Sequence, residues 1–180
     1  MDNVQLATAV SIVTTAISVI AMQCKKMAYV RALQFVANFL LVVQYAITDN
    51  LSASGVCIMA IGQVIVAIIF QRLKKPFPIP LVIFFMAAYI TITVISFEKA
   101  PDILTGVAAC LFALSVVQTK NENYRVCSTL NCTTWLIFDI WSGTYTAVIL
   151  HATLFVIDVT TIIRLDGKMW LGKIRSHAKK

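Results

Sequence analysis

Seven long apolar stretches follow one another along the chain, separated by short polar segments. Each stretch is close to the roughly 20 residues that an α-helix needs to cross about 30 Å of hydrocarbon. The pattern therefore predicts seven membrane-spanning helices, at about 4–22, 28–47, 51–71, 79–97, 102–119, 126–142 and 145–163. The connections between them are too short to hold a soluble domain, a nucleotide-binding loop or a catalytic insert.

The composition agrees with a membrane protein. Hydrophobic residues make up 59% of the chain and charged residues only 13%, whereas soluble domains carry about 25% charged residues. The N-terminus has no basic region, and no small-residue cleavage site follows the first apolar stretch. We therefore interpret that stretch as a retained helix and not as a signal peptide.

The basic residues predict how the helices are oriented. If the N-terminus lies outside, fourteen of the fifteen Lys and Arg residues fall on the cytoplasmic side, and only Lys99 falls outside. Because basic residues near helix ends are retained in the cytoplasm, the C-terminus is predicted to lie inside. The net charge of +7 is mainly a topology signal. It is spread over four separate segments, so we expect no nucleic-acid partner.

Polar residues recur at a spacing of 95 residues, which suggests an internal repeat. The shift superposes predicted helices 1–3 on helices 5–7 without a gap and pairs Gln44 with Asp139 and Gln63 with Asp158; it also pairs Gln23 with Gln118, Lys25 with Lys120 and Tyr29 with Tyr124. Three helices plus one linking helix return the chain to the same side of the membrane. The two halves are therefore predicted to be parallel repeats about an axis along the membrane normal.

These patterns together predict an all-α membrane protein arranged 3+1+3. A first three-helix bundle is expected at 1–75, a linker helix at 76–99, a second bundle at 100–165 and a basic cytoplasmic tail at 166–180. The segment "KKPFPIP" precedes the linker helix, and its three prolines prevent the third helix from continuing into the fourth.

Two stretches resemble a known family: "QCKKMAYVRALQFVANFLLVVQYAI" and "WLIFDIWSGTYTAVILHATLFVIDVTTIIRL". They are similar to the YgjV-type bacterial inner-membrane proteins, whose organisation resembles the SWEET/PQ-loop transporter superfamily. The resemblance implies a seven-helix SWEET-like fold in the bacterial inner membrane, with His151 and Asp158 at the positions of a helix 7 carboxylate and amide in relatives. The Pro-Gln motif of SWEET-type helices 1 and 5 is absent, so the resemblance does not extend to a proline-hinged mechanism.

Asp158 is the strongest candidate for a functional residue. An ionisable side chain within a spanning helix costs several kcal/mol unless it faces protein or water. His151 lies seven residues earlier and about 20° away around the helix, so the two side chains share one face. The predicted repeat would place Gln63 opposite Asp158. The alternative is that both Asp158 and His151 only fasten helices together through hydrogen bonds.

Other intramembrane polar residues extend this candidate site. Asn38 on helix 2, Asn131 on helix 6 and Trp135 one turn beyond it are candidates for solute contact, although packing alone would also explain them. Gln44 and Asp139 lie near the outer ends of their helices, where we expect water to reach them, and we assign them to a gate or vestibule.

The sequence predicts a carrier or facilitator of a small polar solute, bound between the two bundles. The alternatives are a membrane scaffold or regulator, and a proton or ion pathway through Asp158 and His151. No catalytic or metal-ligand spacing and no intramembrane lysine for retinal is found, so we expect no enzyme activity, metal or cofactor. The expected partners are the lipid bilayer and the solute, with a homo-oligomer left open.

Overall fold

The computed structural model describes residues 3–24 and 26–166, and these residues are helical apart from short connections. The seven helices are α1 (Asn3–Gln23), α2 (Met27–Ile47), α3 (Leu51–Arg72), α4 (Ile79–Ile95), α5 (Asp102–Val116), α6 (Asn121–Ser142) and α7 (Tyr145–Thr161). A π-helical turn, Ile162–Asp166, continues α7. The prediction of seven helices is confirmed. Beyond Asp166, the predicted basic tail lies outside the described residues.

The helix ends differ most from the prediction at α5 and α6. α6 begins at Asn121, five residues before the predicted start, because the polar first turns continue the helix past its apolar part. α5 ends at Val116, three residues before the predicted end. Hydropathy locates the apolar part of a helix, whereas hydrogen bonding and caps set its ends.

Turn chemistry explains the sharp breaks between helices. Pro78 precedes α4 and Pro80 lies in its first turn, where a missing N–H costs nothing. Asn50 caps α3 by accepting a hydrogen bond from the backbone N–H of Ala53 at 3.3 Å. Gly143 ends α6 with φ of 77°, a left-handed conformation that suits glycine.

Burial follows the pattern of a membrane protein. Large apolar side chains such as Ile58, Ile83 and Val156 are exposed on the outer surface, whereas many polar side chains are buried. Within the described ranges, four segments are both long and apolar enough to cross a membrane: Val4–Gln23, Met27–Ile47, Leu51–Arg72 and Tyr145–Arg164. The helices α4 and α5 are apolar but have only 17 and 15 residues, and α6 has 22 residues but a polar first turn.

Six helices pack in a ring. Helix α1 packs on α2 and α7, α2 on α3, α3 on α5, α5 on α6, and α6 on α7, while α4 packs against α3 and α5. Short connections make consecutive helices antiparallel. One side of the bundle therefore holds the C-terminal ends of α1, α3, α5 and α7 and the N-terminal ends of α2, α4 and α6. We call this side the basic end, because it holds most of the described Lys and Arg residues.

Small residues allow close packing where α3, α4 and α5 meet. Ala53, Ala60 and Ala67 on α3 recur every seven residues, and all are buried. On α5, a Cβ added to Gly106 would lie 2.9 Å from Oγ1 of Thr93 on α4. Close approach of backbones over small residues is a common way for membrane helices to associate.

Candidate functional site: a central cavity lined by seven helices

A cavity of about 100 Å³ lies inside the bundle, and every helix contributes at least one residue to its wall. It extends from the middle of the bundle, at Trp135 and His151, toward the basic end, at Met22 in the last turn of α1 and Tyr124 in the first turn of α6. A cavity that all seven helices enclose depends on the whole fold and not on one local contact.

The Asp158 carboxylate lies in the wall of this cavity and is 1% exposed. Ser128 on α6 lies within hydrogen-bonding reach of this carboxylate, and Arg125 on the same helix is its charged neighbour. Among the described residues, neither carboxylate oxygen makes a hydrogen bond of standard geometry. Two strong acceptor atoms therefore stand in the cavity wall with hydrogen-bonding capacity left for a ligand.

Three amide side chains line the same cavity. Nδ2 of Asn38 donates to the backbone oxygen of Gln34 at 2.8 Å, and Nε2 of Gln34 donates to the Tyr124 hydroxyl at 2.8 Å. Within the described part of the chain, Oε1 of Gln34 and Oδ1 of Asn131 are buried without a hydrogen-bond partner. Like the two Asp158 oxygens, they are buried acceptors that the described residues leave without a donor.

Next to the cavity, away from the basic end, a compact cluster forms around Asp139. The Tyr45 hydroxyl donates to Oδ1 of Asp139 at 3.1 Å, and Nδ1 of His151 lies 2.5 Å from Oδ2. Both carboxylate oxygens are thus used, and Asp139 is 0% exposed. The cluster joins α2, α6 and α7.

Aromatic stacking holds this cluster in place. The Trp135 ring stacks on the His151 ring with centroids 5.9 Å apart and on the Tyr45 ring at 5.5 Å. Phe138 packs edge-on against both Tyr45 and Trp135. Such pairs contribute about 0.5–1.5 kcal/mol each beyond area burial.

The structure brings five of the predicted substrate-binding residues to the cavity: Asp158, His151, Asn38, Asn131 and Trp135. Gln63 does not line it. Oε1 of Gln63 accepts from the Tyr89 hydroxyl at 2.8 Å, and Nε2 donates to the backbone oxygen of Ala113 at 3.3 Å. Gln63 therefore links α3 to α4 and α5, and it is not among the residues that line the cavity with Asp158.

Gln44 and Asp139 are not water-accessible in this conformation. Both are 0% exposed, contrary to the expectation that water reaches them near the helix ends. Tyr45 and His151 contact the Asp139 carboxylate from two neighbouring helices. The position of a residue along a helix predicts how deep it lies in the membrane. It does not predict which side chains of other helices surround that residue.

Three further residues belong to this site although sequence reasoning did not select them: Tyr45, Tyr124 and Ser128. A signal was available for the two tyrosines. A phenol hydroxyl within an apolar helix needs a hydrogen-bond partner, so each tyrosine pointed to a polar neighbour on another helix. Ser128 gives no comparable signal, because a serine is easily accommodated in a membrane helix by bonding to its own backbone.

Comparison with known proteins supports the membrane assignment. The chain has no significant match among curated proteins or solved structures. A family model described as a bacterial inner membrane protein, Imp-YgjV, matches residues 5–169. That match spans nearly all of the chain and confirms the resemblance seen in helices 2, 3, 6 and 7. This match and the apolar helices together indicate a multi-pass protein of the bacterial inner membrane. The chain belongs to the Imp-YgjV family.

Proposed function

We propose that this protein is a carrier or facilitator for a small polar solute, which binds in the central cavity. The observation that carries the proposal is the Asp158 carboxylate, buried in the wall of a cavity that seven helices enclose, with both oxygens free of standard hydrogen bonds to the described residues. A carboxylate used only to fasten helices would be expected to have its oxygens occupied, as those of Asp139 are.

The wall of the cavity favours a solute that donates hydrogen bonds. Four buried polar atoms of residues that line the cavity have no hydrogen-bond partner among the described residues, and all four are acceptors: the two oxygens of Asp158 and one oxygen each of Gln34 and Asn131. An ammonium group or a set of hydroxyl groups would satisfy them, and an anion would not. An apolar cavity of about 150 Å³ accepts a benzene ring. On that scale, about 100 Å³ holds a solute of about four heavy atoms in this conformation.

Two hydrogen bonds join α2 to α6 at opposite ends of the cavity. Tyr45 bonds Asp139 on the side away from the basic end, and Gln34 bonds Tyr124 nearer the basic end. We call them the Tyr45–Asp139 bridge and the Gln34–Tyr124 bridge. In the proposed mechanism each bridge closes one side of the cavity, and opening them in turn exposes the solute to each side of the membrane.

The internal repeat supports this mechanism. A shift of 95 residues carries Met27–Ile47 onto 122–142, close to the observed Asn121–Ser142, and carries the start of α3 to within one residue of the start of α7. The contacts in the ring agree with this repeat. If α3 is equivalent to α7 and α5 to α1, the contact of α3 with α5 corresponds to the contact of α7 with α1. We therefore infer two parallel three-helix bundles, α1–α3 and α5–α7, with α2 and α6 as equivalent helices that face the cavity.

The distribution of basic residues gives the direction. We infer that the basic end faces the cytoplasm and that the N-terminus lies outside. The Gln34–Tyr124 bridge would then close the cytoplasmic side and the Tyr45–Asp139 bridge the outer side. A C-terminal reporter that fluoresces only in the cytoplasm should be active, and activity of an export-dependent phosphatase at residue 180 would contradict this orientation.

The test of the transport proposal is a ligand screen followed by uptake measurements. Purified protein is screened by thermal shift against small amines, amino alcohols and polyols, since a bound ligand stabilises the folded state. The compound that stabilises the protein is then measured for uptake into proteoliposomes. Asp158→Asn should abolish both the stabilisation and the uptake while the melting temperature of the unliganded protein changes little.

A matched control is Ser115→Ala, which changes an equally buried polar residue outside the cavity that bonds only within α5. It should leave ligand stabilisation and uptake unchanged. If Asp158→Asn retains uptake, or if it unfolds the protein as much as Asp158→Leu does, the carboxylate holds helices together and does not bind solute. Failure of every donor-bearing compound to stabilise the protein would favour the scaffold alternative.

A proton pathway is the second candidate, and one contact favours it. His151 lines the cavity that holds Asp158 and also contacts Asp139, so three ionisable groups lie along one side of the bundle. Proteoliposomes with an imposed pH gradient and an internal pH-sensitive dye would show proton flux without added solute. Flux that His151→Gln abolishes supports this function, and the absence of flux rules it out. Neither candidate involves catalysis, and we propose no enzymatic role.

A further inference from the structure

A second pocket, of about 350 Å³, lies at the basic end and shares no lining residue with the central cavity. It is formed by α2, α3, the connection from α3 to α4, and the residues that follow α5. Its basic wall consists of Arg31, Lys74 and Lys75, and its apolar wall includes Phe70 and Phe77.

Arg31 is 7% exposed although it carries a permanent charge. Nη1 donates to Oε1 of Gln71 at 2.8 Å and to the backbone oxygen of Ala67 at 3.3 Å, and Nη2 donates to the backbone oxygen of Val116 at 3.1 Å. Among the described residues, Nε has no hydrogen-bond partner. The guanidinium group is therefore held by neutral oxygens, which accept three hydrogen bonds from its five N–H donors.

The positive charges that line this pocket are not balanced by negative charges among its described lining residues. Of the described residues, three with cationic side chains line it, and no Asp or Glu does. Burying a charge without an opposite charge is costly, and a guanidinium group pairs especially well with phosphate and carboxylate groups. An anion at this position would pair with Arg31 and with the two lysines.

The apolar wall indicates that the anion is attached to an apolar body. The Phe70 and Phe77 rings pack together with centroids 5.8 Å apart, and Met27 lines the pocket beside them. Phe77 also contacts Phe85, a buried residue of α4. A free inorganic anion would not pack against these apolar side chains, whereas a lipid chain would cover them.

We propose that this pocket binds the phosphate headgroup of an anionic membrane phospholipid. The phosphate group pairs with Arg31, Lys74 and Lys75, and an acyl chain lies against Phe70 and Phe77. Basic pockets between helices on the cytoplasmic side of a membrane protein commonly bind such headgroups. The lipid would fix the α3–α4 connection against α2 and so connect the two halves of the bundle at this end.

The experiment measures lipid binding to the full chain in detergent by native mass spectrometry. The probes are phosphatidylglycerol, zwitterionic phosphatidylcholine of the same chain length, and inorganic phosphate. Phosphatidylglycerol should bind in preference to phosphatidylcholine. Each lysine near an anionic surface contributes about fivefold in affinity, so the double variant Lys74→Gln/Lys75→Gln should bind about 25-fold more weakly.

Arg72→Gln is the matched control, because Arg72 is an exposed basic residue at the same end that does not line the pocket. It should leave lipid binding within about twofold of that of the unchanged protein, the range of small surface effects. Arg31→Gln tests the buried group directly, and the lysine variant provides the answer if that protein does not fold. Equal binding of phosphatidylcholine, an equal loss with Arg72→Gln, or competition by inorganic phosphate at lipid concentrations would overturn the proposal.

Discussion

The Tyr45–Asp139 bridge can be tested by its effect on stability. Asp139 accepts a hydrogen bond from Tyr45 at 3.1 Å and contacts Nδ1 of His151 at 2.5 Å, and all three side chains are buried. Asp139→Ala leaves two buried polar groups without a partner. Each costs about 1–3 kcal/mol, so the free energy of unfolding should fall by about 2–6 kcal/mol.

Tyr45→Phe separates the bridge from general packing. In the unchanged protein it removes one hydrogen bond and leaves Oδ1 of Asp139 unpartnered, which should cost about 1–3 kcal/mol. In the Asp139→Ala background the same change removes a hydroxyl that already lacks its partner, so it should be neutral or stabilising. The sign of the effect of Tyr45→Phe thus depends on whether Asp139 is present.

The assay is a double-mutant cycle, with unfolding followed in detergent by helical circular dichroism. We expect a coupling energy of about 1–3 kcal/mol, in the range for residues in direct contact. Tyr29→Phe is the control, because Tyr29 is 59% exposed and the change should alter stability by less than about 0.5 kcal/mol. Equal costs of Tyr45→Phe in both backgrounds would refute the bridge.

Two further predictions test the closures and the helix packing. Tyr124→Phe removes the Gln34–Tyr124 bridge. The variant should increase the rate at which a membrane-impermeant thiol reagent, added from the basic end, labels Cys132 in the cavity wall. Labelling no faster than in the unchanged protein would contradict this closure. Gly106→Ala should destabilise the protein by about 1–3 kcal/mol, because the new Cβ would lie 2.9 Å from Thr93 Oγ1. Gly62→Ala, with nothing within 4 Å of the new Cβ, should stabilise it by about 0.5–1 kcal/mol, and similar effects at both glycines would contradict the packing of α4 on α5.

The seven helices could be predicted from the sequence because a bilayer leaves few choices. An apolar stretch of membrane length must form a helix, since its backbone polar groups have no water to bond. The predicted start of α3 at 51 and of α7 at 145 agrees with the structure, and so does the end of α2 at 47. The start of α6 was missed because its first turn is polar and extends beyond the apolar signal.

The side-chain partners could not be predicted in the same way. A repeat register pairs positions along the chain, so it placed Gln63 opposite Asp158. The actual partners of Gln63 are Tyr89 on α4 and Ala113 on α5. Helix α4 has no counterpart in the predicted repeat, and it packs on α3 and α5. The predicted repeat therefore gave no indication of the hydrogen bonds that α4 and α5 make with Gln63.

Asp139 and Asp158 are two buried carboxylates with different hydrogen-bonding surroundings. Both oxygens of Asp139 are occupied, and three helices supply the partners and the stacked rings around it. Asp158 is equally buried, but its oxygens make no standard hydrogen bond to the described residues. Burying this carboxylate carries a desolvation cost, which Arg125 and Ser128 on α6 oppose. That cost is offset when a donor-bearing solute or a proton occupies the cavity, and both proposed functions use Asp158 in this way.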